Sequence, residues 1–342
     1  MGLSQVVDGP LFDVQLQPYT TKAGQMNQHS SALKSDFLRR VSHRWRRATD
    51  TNRGQLLTSL SALFDRFHDL GLADPHFSQR LANGSDNEHQ QRLAEMLLAK
   101  HLWDRGFTLS SSNEGPDFRA SKDNISAWIE LVTPEPIGID AGWLAPQQEG
   151  VWSYPHCEIA LRYTSALKEK HEKLVGTKAS RPGYLKKGVV GPADPYVIAI
   201  NQHLLQGSFR TLDGISQTPT ACEVLYGVGP QQIHLDAATG QAKRFDHSYR
   251  PGLSKVRADG GKTIVPAESF LNPDYAPVSA VFALDLQEEA LVTPTLETQR
   301  QCHLAAVVHN IGALNPIPHN FLPGQEHWTA LTTSSSVELI RI

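Results

Sequence analysis

Residues Tyr196-Val197-Ile198-Ala199-Ile200-Asn201 form an almost unbroken apolar run. A strand with one solvated face alternates apolar and polar residues, so a continuous run marks a strand buried on both faces. Such a strand belongs to a sheet covered on each side, which points to an α/β fold.

The covering elements are legible on either side of that run. Residues 31–106 read as helical. Within 54–71, Leu56, Leu57, Leu60, Leu63, Phe64, Phe67 and Leu70 recur at i, i+3/i+4, and Gly71 and Pro75 end the stripe. A second helix is expected over 87–105, stopped by Gly106. The pattern then changes to short strand-like pieces at 107–109, 117–120 and 127–132, separated by turn residues. A helix at about 160–175 leads to the apolar run. Residues 87–201 therefore read as helix, three strands, helix, strand.

Four flanking regions complete the expected organisation. Residues 1–30 are polar and read as an irregular N-terminal arm, and 31–86 as a helical region. Residues 202–275 are rich in Gly, Pro, Gln and Asp, and are expected to be a loop-rich insertion with little regular structure. Strand signals return at 278–284, 304–309 and 335–342. Residues 276–342 are thus expected to be C-terminal strands extending the core sheet or forming a small appendage.

Composition removes several function classes. The 342 residues carry 32 Lys+Arg against 35 Asp+Glu, a net charge of −3, which excludes a uniformly basic binder. No apolar run approaches the length of a membrane span, so no membrane partner is expected. The opening residues lack a basic-then-apolar leader, and three scattered cysteines form no disulfide framework; a cytoplasmic location is the simplest expectation. Gly260-Gly261-Lys262-Thr263 lacks the earlier glycine of a phosphate loop, since that position is Val256. The histidines form no HExxH, and pairs such as His319 and His327 read as loop or core residues. No GxSxG elbow is present.

One constellation carries chemistry. Glu95 shares a helix face with Leu98, Ala99 and Leu102, and a carboxylate on a core-facing stripe needs a partner or a cation. Pro116 sets the entry to a strand that Asp117 leads. Glu130 interrupts the apolar strand Trp128-Ile129-Glu130-Leu131-Val132 on the neighbouring strand. Two carboxylates meeting across strands make an oxygen-rich site suited to Mg²⁺ or Mn²⁺.

With these residues in place, residues 87–201 resemble the PD-(D/E)xK nuclease superfamily, the restriction-endonuclease-like fold. Pro116-Asp117 matches its PD element, Glu130-Leu131-Val132 the acidic part of (D/E)xK, and Glu95 the glutamate of the first core helix. The chain is also similar to a bacterial branch that carries Gly115-Pro116-Asp117-Phe118, a Trp128-Ile129-Glu130 strand and an Arg162-x-Thr164-Ser165-Ala166 helix. The motif's lysine position holds Val132. In some superfamily members that lysine sits on the following helix. There Tyr163, Leu167, Lys170 and Leu174 share one face, which makes Lys170 the sheet-facing lysine. Lys168 is second choice, and Lys173 projects toward Glu169 and reads as solvated.

The resemblance implies a metal-dependent nuclease. Asp117, Glu130 and the Leu131 carbonyl would hold Mg²⁺ (or Mn²⁺), Lys170 would orient the attacking water, and Glu95 would hold a second metal or its water. Two basic segments suit a phosphate backbone. Residues 34–53 include Arg44, Arg46 and Arg47 around Trp45, which reads either as a base-stacking face or as the core contact of an amphipathic helix; residues 162–187 include Arg162, Lys168, Lys170 and Lys173. The expected partner is DNA or RNA, and duplex cutters with one site often pair as homodimers. The alternative is a nuclease fold that has lost catalysis and acts as a nucleic-acid-binding or interaction protein.

Overall fold

A computed structural model describes residues 28–112, 114–145, 153–178, 181–207, 210–257, 259–292, 303–332 and 337–342. The arm expected over 1–30 lies almost wholly outside them. Four helices come first: α1 (Gln28–Arg44), α2 (Asp50–Asp69), α3 (Phe77–Asn83) and α4 (Asp86–Trp103). Three strands follow, β1 (Thr108–Ser110), β2 (Phe118–Lys122) and β3 (Ile125–Val132), then the short α5 (Ala141–Leu144) and the long α6 (His156–Val175). A small hairpin, β4 (Gly176–Lys178) and β5 (Arg181–Pro182), and α7 (Tyr184–Lys187) precede β6 (Tyr196–Asn201). Beyond β6 come α8 (Thr220–Tyr226), β7 (Val228–Leu235), β8 (Ala242–Tyr249), β9 (Gly252–Val256) and β10 (Lys262–Pro266). The described chain ends with β11 (Ala280–Leu286), β12 (His303–His309), β13 (Glu326–Thr332) and β14 (Val337–Arg341).

Eight strands form one mixed sheet in the order β1-β2-β3-β6-β11-β12-β13-β14. β3, β6 and β11 run parallel, while β1 and β2 pair antiparallel in front of them. Every residue of β6 and of β11 is buried. The reason lies in the layers. Ile129, Leu131, Val197, Ala199 and Phe282 join a core with α1, α2, α3 and α4, whereas Trp128, Val132, Ile198, Ile200 and Val281 join a second core with α6 and α8.

Local chemistry sets the elements that matter for the site. Thr49 caps α2 through the Asn52 N–H, and Ser85 and Glu88 form a reciprocal capping box on α4. The α2 stripe buries Leu56, Leu60, Leu63, Phe64 and Phe67, while Leu70 falls at the C-cap and is exposed. Asp123 and Asn124 both take positive φ (50° and 63°), the geometry of a two-residue hairpin turn between β2 and β3.

Residues 202–275 differ from the loop-rich expectation. They contain the buried helix α8 and two hairpins, β7–β8 and β9–β10. Their Gly and Pro residues punctuate short strands rather than replace them. The region is anchored by Glu223, fully buried, which accepts from His156 Nε2 at 2.6 Å, the Ser216 N–H at 2.7 Å and Arg250 at 3.2 Å.

The placement of α4 against the sheet depends on Leu98, which is 0% exposed. Leu98→Ala is expected to lower stability by about 2–5 kcal/mol, measured as a reduced urea midpoint. A loss well under about 1 kcal/mol would show that α4 is not fixed by this contact.

Candidate functional site

The site forms where the β2–β3 ladder stops. Phe118 lies opposite Ile129, so continuation of the register would set Pro116 opposite Leu131. Proline has no N–H to give the Leu131 carbonyl, and the ladder ends there. Two side chains take over. Asp117 Oδ2 accepts the Leu131 N–H at 2.7 Å, and Gln91 Nε2 on α4 reaches the Leu131 carbonyl at 3.4 Å. Gln91 Oε1 also accepts the Thr133 N–H at 2.7 Å. The PD pair thus has a structural cause: the proline breaks the pairing and the aspartate fills the gap.

Alternation along β3 sends Glu130 to the α6 face, beside Trp128 and Val132. There Glu130 Oε1 meets Lys170 Nζ at 3.3 Å and Lys173 Nζ at 2.8 Å, and the Tyr184 hydroxyl donates to Oε2 at 3.3 Å. Glu130 and Lys170 are 2% and 6% exposed. Lys170 sits on the buried stripe of α6 with Tyr163, Leu167 and Leu174, the face read from the sequence. Glu95 approaches from the α4 face, 4% exposed, with Arg92 on both of its oxygens at 2.9 and 3.0 Å. Arg92 also reaches Asp74 at 3.1 Å.

Burial dominates the electrostatics. It raises the Asp117 carboxyl to about 7, with repulsion from Glu130 adding to the effect and Lys170 opposing it. Burial and the Asp117 charge raise Glu95 to about 8, against the pull of Arg92. Burial works against the Lys170 charge too, but Glu130, Asp117 and Glu169 outweigh it and hold the ammonium protonated. The shifts place Glu95, Asp117, Glu130 and Lys170 in one electrostatic neighbourhood.

Several expected roles change. Lys173 is not a free phosphate ligand pointing at Glu169, because the next turn of α6 carries it to Glu130. The second-metal role expected of Glu95 is displaced by Arg92, which occupies both oxygens. Arg44 does not face a nucleic acid freely: it forms an ion pair with Glu288, which also accepts from Trp45 Nε1 at 2.8 Å. Trp45 is therefore half-buried against the helical core rather than presented for stacking. Arg46 and Arg47 stay exposed, Arg46 within 3.4 Å of His43. Lys168 is exposed and faces Glu172 at 3.7 Å. Arg162 lines a cleft of about 330 Å³ with Arg80, Gln91, Thr133 and Lys170. Its Nε is buried without a hydrogen-bond partner.

Gln91, Arg92 and Tyr184 are the participants that sequence reasoning missed. Gln91 and Arg92 stand four and three residues before Glu95, the spacing of helical neighbours, and that spacing was the available signal. Nothing in the sequence marks Tyr184. Elsewhere, His309 Nε2 lies 3.3 Å from His327 Nδ1, with the His319 ring beside them. Among the described residues no group of three or more His, Cys, Asp and Glu side chains is arranged to hold a metal ion, and no helix is long and apolar enough to cross a membrane.

The chain matches no protein-family model, no curated protein and no solved structure.

Asp117 and Glu95 titrate higher in the folded chain than in an unfolded one, where carboxyls ionise near about pH 4. Between that value and about pH 8 the folded chain binds more protons, so this contribution to stability falls as pH rises. Asp117→Asn keeps an acceptor for Leu131 and removes the Asp117 titration. The variant is expected to lose less stability than the wild type between about pH 5 and about pH 8.5 in urea titrations. Equal losses would place the Asp117 carboxyl outside this titration.

Proposed function

We propose that the chain is a metal-dependent nuclease that hydrolyses phosphodiester bonds, built on a restriction-endonuclease-like core. The convergence of Asp117, Glu130 and Lys170 at the open end of the β2–β3 ladder carries this reading. The order α4, β1, β2, β3, α6, β6 supports it, because it is the helix, three strands, helix, strand sequence of that core.

The donor set suits a hard divalent cation. Asp117 and Glu130 are carboxylates close enough to repel, and among the described residues Asp117 has no ion-pair partner of its own. Mg²⁺ commonly binds through one or two carboxylates and keeps several waters, so two side chains and the Leu131 carbonyl suffice. Bound there, Mg²⁺ or Mn²⁺ supplies Lewis-acid polarisation of the phosphoryl oxygen and a more acidic water.

The remaining work falls to the chain. Lys170, charged and buried, donates to the attacking water or to the negative charge that grows on the phosphoryl oxygens. The water oxygen bonds to phosphorus, the bridging P–O bond breaks, and the water's proton ends on the leaving oxygen through solvent. Arg162 grips a neighbouring phosphate from the cleft. Lys173, less buried than Lys170, shares Glu130 with it and would be the lysine released toward a phosphate if a cation took up that carboxylate.

In this reading, Asp117→Ala and Glu130→Ala reduce Mg²⁺- or Mn²⁺-dependent cleavage of DNA or RNA to background. Lys170→Met reduces it by about 100-fold or more. Wild-type-like cleavage by a stringently purified Asp117→Ala/Glu130→Ala double variant would falsify the assignment.

A second reading has its own observation. Glu130 is already neutralised by two lysines, and Gln91 already contacts the Leu131 carbonyl. A nuclease fold that binds nucleic acid without cutting it would keep such a closed site. It is distinguished by salt-sensitive binding with no cleavage under either metal.

A further inference from the structure

We infer that the substrate of this site is a single strand of nucleic acid laid along α6, rather than an intact duplex. The inference rests on the nuclease reading and goes beyond it by naming the substrate class and the residues that track the strand.

Two clefts flank the buried Glu130–Lys170 pair. The first, about 330 Å³, lies between α3, α4, the end of β3 and α6, and is lined by Arg80, Arg92, Arg162 and Lys170. The second, about 370 Å³, lies between α6, the β4–β5 hairpin and α7, and is lined by Lys173, Arg181, Tyr184 and Lys187. Glu169 lines both, so they meet at the turn of α6 that carries Lys170. From Arg162 to Lys173 the helix advances about 16 Å. A backbone crossing the site thus has a cationic seat on either side.

Ion pairing distinguishes three cations of these seats from most of the first basic segment, in which Arg46 and Arg47 stay exposed without a carboxylate partner among the described residues. In the first basic segment Lys34, Arg39, Arg40, Arg44 and Arg53 are paired with Asp65, Asp36, Asp86, Glu288 and Asp50. Beside the site, Arg162, Arg181 and Lys187 have no ion-pair partner among the described residues, and the buried Arg162 Nε lacks a hydrogen bond. The acids of the clefts are largely engaged: Glu88 caps α4, Glu169 meets Lys170 at 3.3 Å and Glu172 meets Lys168 at 3.7 Å, leaving Glu135.

Depth decides between one strand and two. Glu130 and Lys170 are 2% and 6% exposed and Asp117 is half-buried; Lys170 lines the cleft beside α3 and α4, and the Glu130 partners Lys173 and Tyr184 line the cleft beside α7. A duplex is stiff, with a persistence length of about 150 base pairs, and bending it into a recess costs energy. A single strand bends freely and tracks a cationic groove while its bases stack on aromatic side chains; Tyr184 is the aromatic of the second cleft.

The test is fluorescence anisotropy on the full chain in EDTA, so that no probe is cut. The probes are a labelled oligo-dT of about 12 nucleotides and a duplex of the same length. The single strand is expected to bind at least about tenfold tighter. Arg162→Ala and the double variant Arg181→Ala/Lys187→Ala, with thermal melts unchanged, should each weaken binding by about tenfold. They should also flatten its salt dependence by about one unit of slope for each phosphate that is no longer neutralised. Duplex binding as tight as single-strand binding overturns the inference, as do variants that leave affinity and salt slope unchanged. The two proposals fail separately: duplex preference with intact metal-dependent cleavage sinks only the strand track, whereas strand binding without cleavage sinks only the nuclease reading.

Discussion

The missing N–H of Pro116 is the constraint from which the site follows. β3 extends past the point where β2 can pair with it, and a backbone donor and acceptor at Leu131 are left open on the β2 side. An unmet buried backbone group costs about 1–3 kcal/mol. Asp117 satisfies the donor and Gln91 the acceptor, and each of these side chains is thereby fixed in place. An aspartate bound by one oxygen to the backbone cannot turn away from the sheet edge. Glu130, one residue earlier on β3 than Leu131, is then fixed across the same edge by the alternation of the strand.

Burying three carboxylates in one region requires compensation, and the compensation is unequal. Glu95 has Arg92, and Glu130 has Lys170 and Lys173. Asp117 has a neutral N–H donor and two acidic neighbours. Replacing Arg92, or both lysines together, leaves a buried charge without a charged partner, which is more costly than never having buried the pair. The same inequality leaves Asp117 the carboxylate without a cationic side chain in contact among the described residues. The lysines also differ. Lys170 is enclosed on the buried stripe of α6, while Lys173 stands closer to solvent and is held less tightly by its surroundings.

How much was legible in the sequence depended on the range of the signal. The helix faces were readable because a 3.6-residue period is local: Leu56 through Phe67, Glu95 on the inward side of α4, and Lys170 among Tyr163, Leu167 and Leu174 all lie where the spacing puts them. The larger elements from α4 to β6 follow the expected helix, three strands, helix, strand, whereas the short α5, the β4–β5 hairpin and α7 between them carry too few residues to show a period. Residues 202–275 mislead because Gly and Pro commonly mark loops, whereas here they separate two tight hairpins around a buried Glu223. The pairing of Arg44 with Glu288 spans 244 positions, and no local pattern announces it. Gln91 was missed for a subtler reason: its spacing from Glu95 was visible, but its need arises only once Pro116 is seen to face Leu131.

The net charge acquires a physical meaning only once the ion pairs are known. A net of −3 would ordinarily repel a polyanion. Surface potential, however, follows charges that remain uncompensated within roughly a Debye length, about 8 Å in physiological salt. Arg39, Arg40, Arg44 and Arg53 on α1 and α2 lie within hydrogen-bonding reach of carboxylates and contribute little beyond that length. Among the described residues Arg162, Arg181 and Lys187 are not neutralised in this way, and they line the two clefts beside the Glu130–Lys170 pair. An overall negative chain can therefore carry unpaired cations beside its buried Glu130–Lys170 pair. Their field is screened over a short distance, so the net charge of the chain and the charge beside the site are separate quantities.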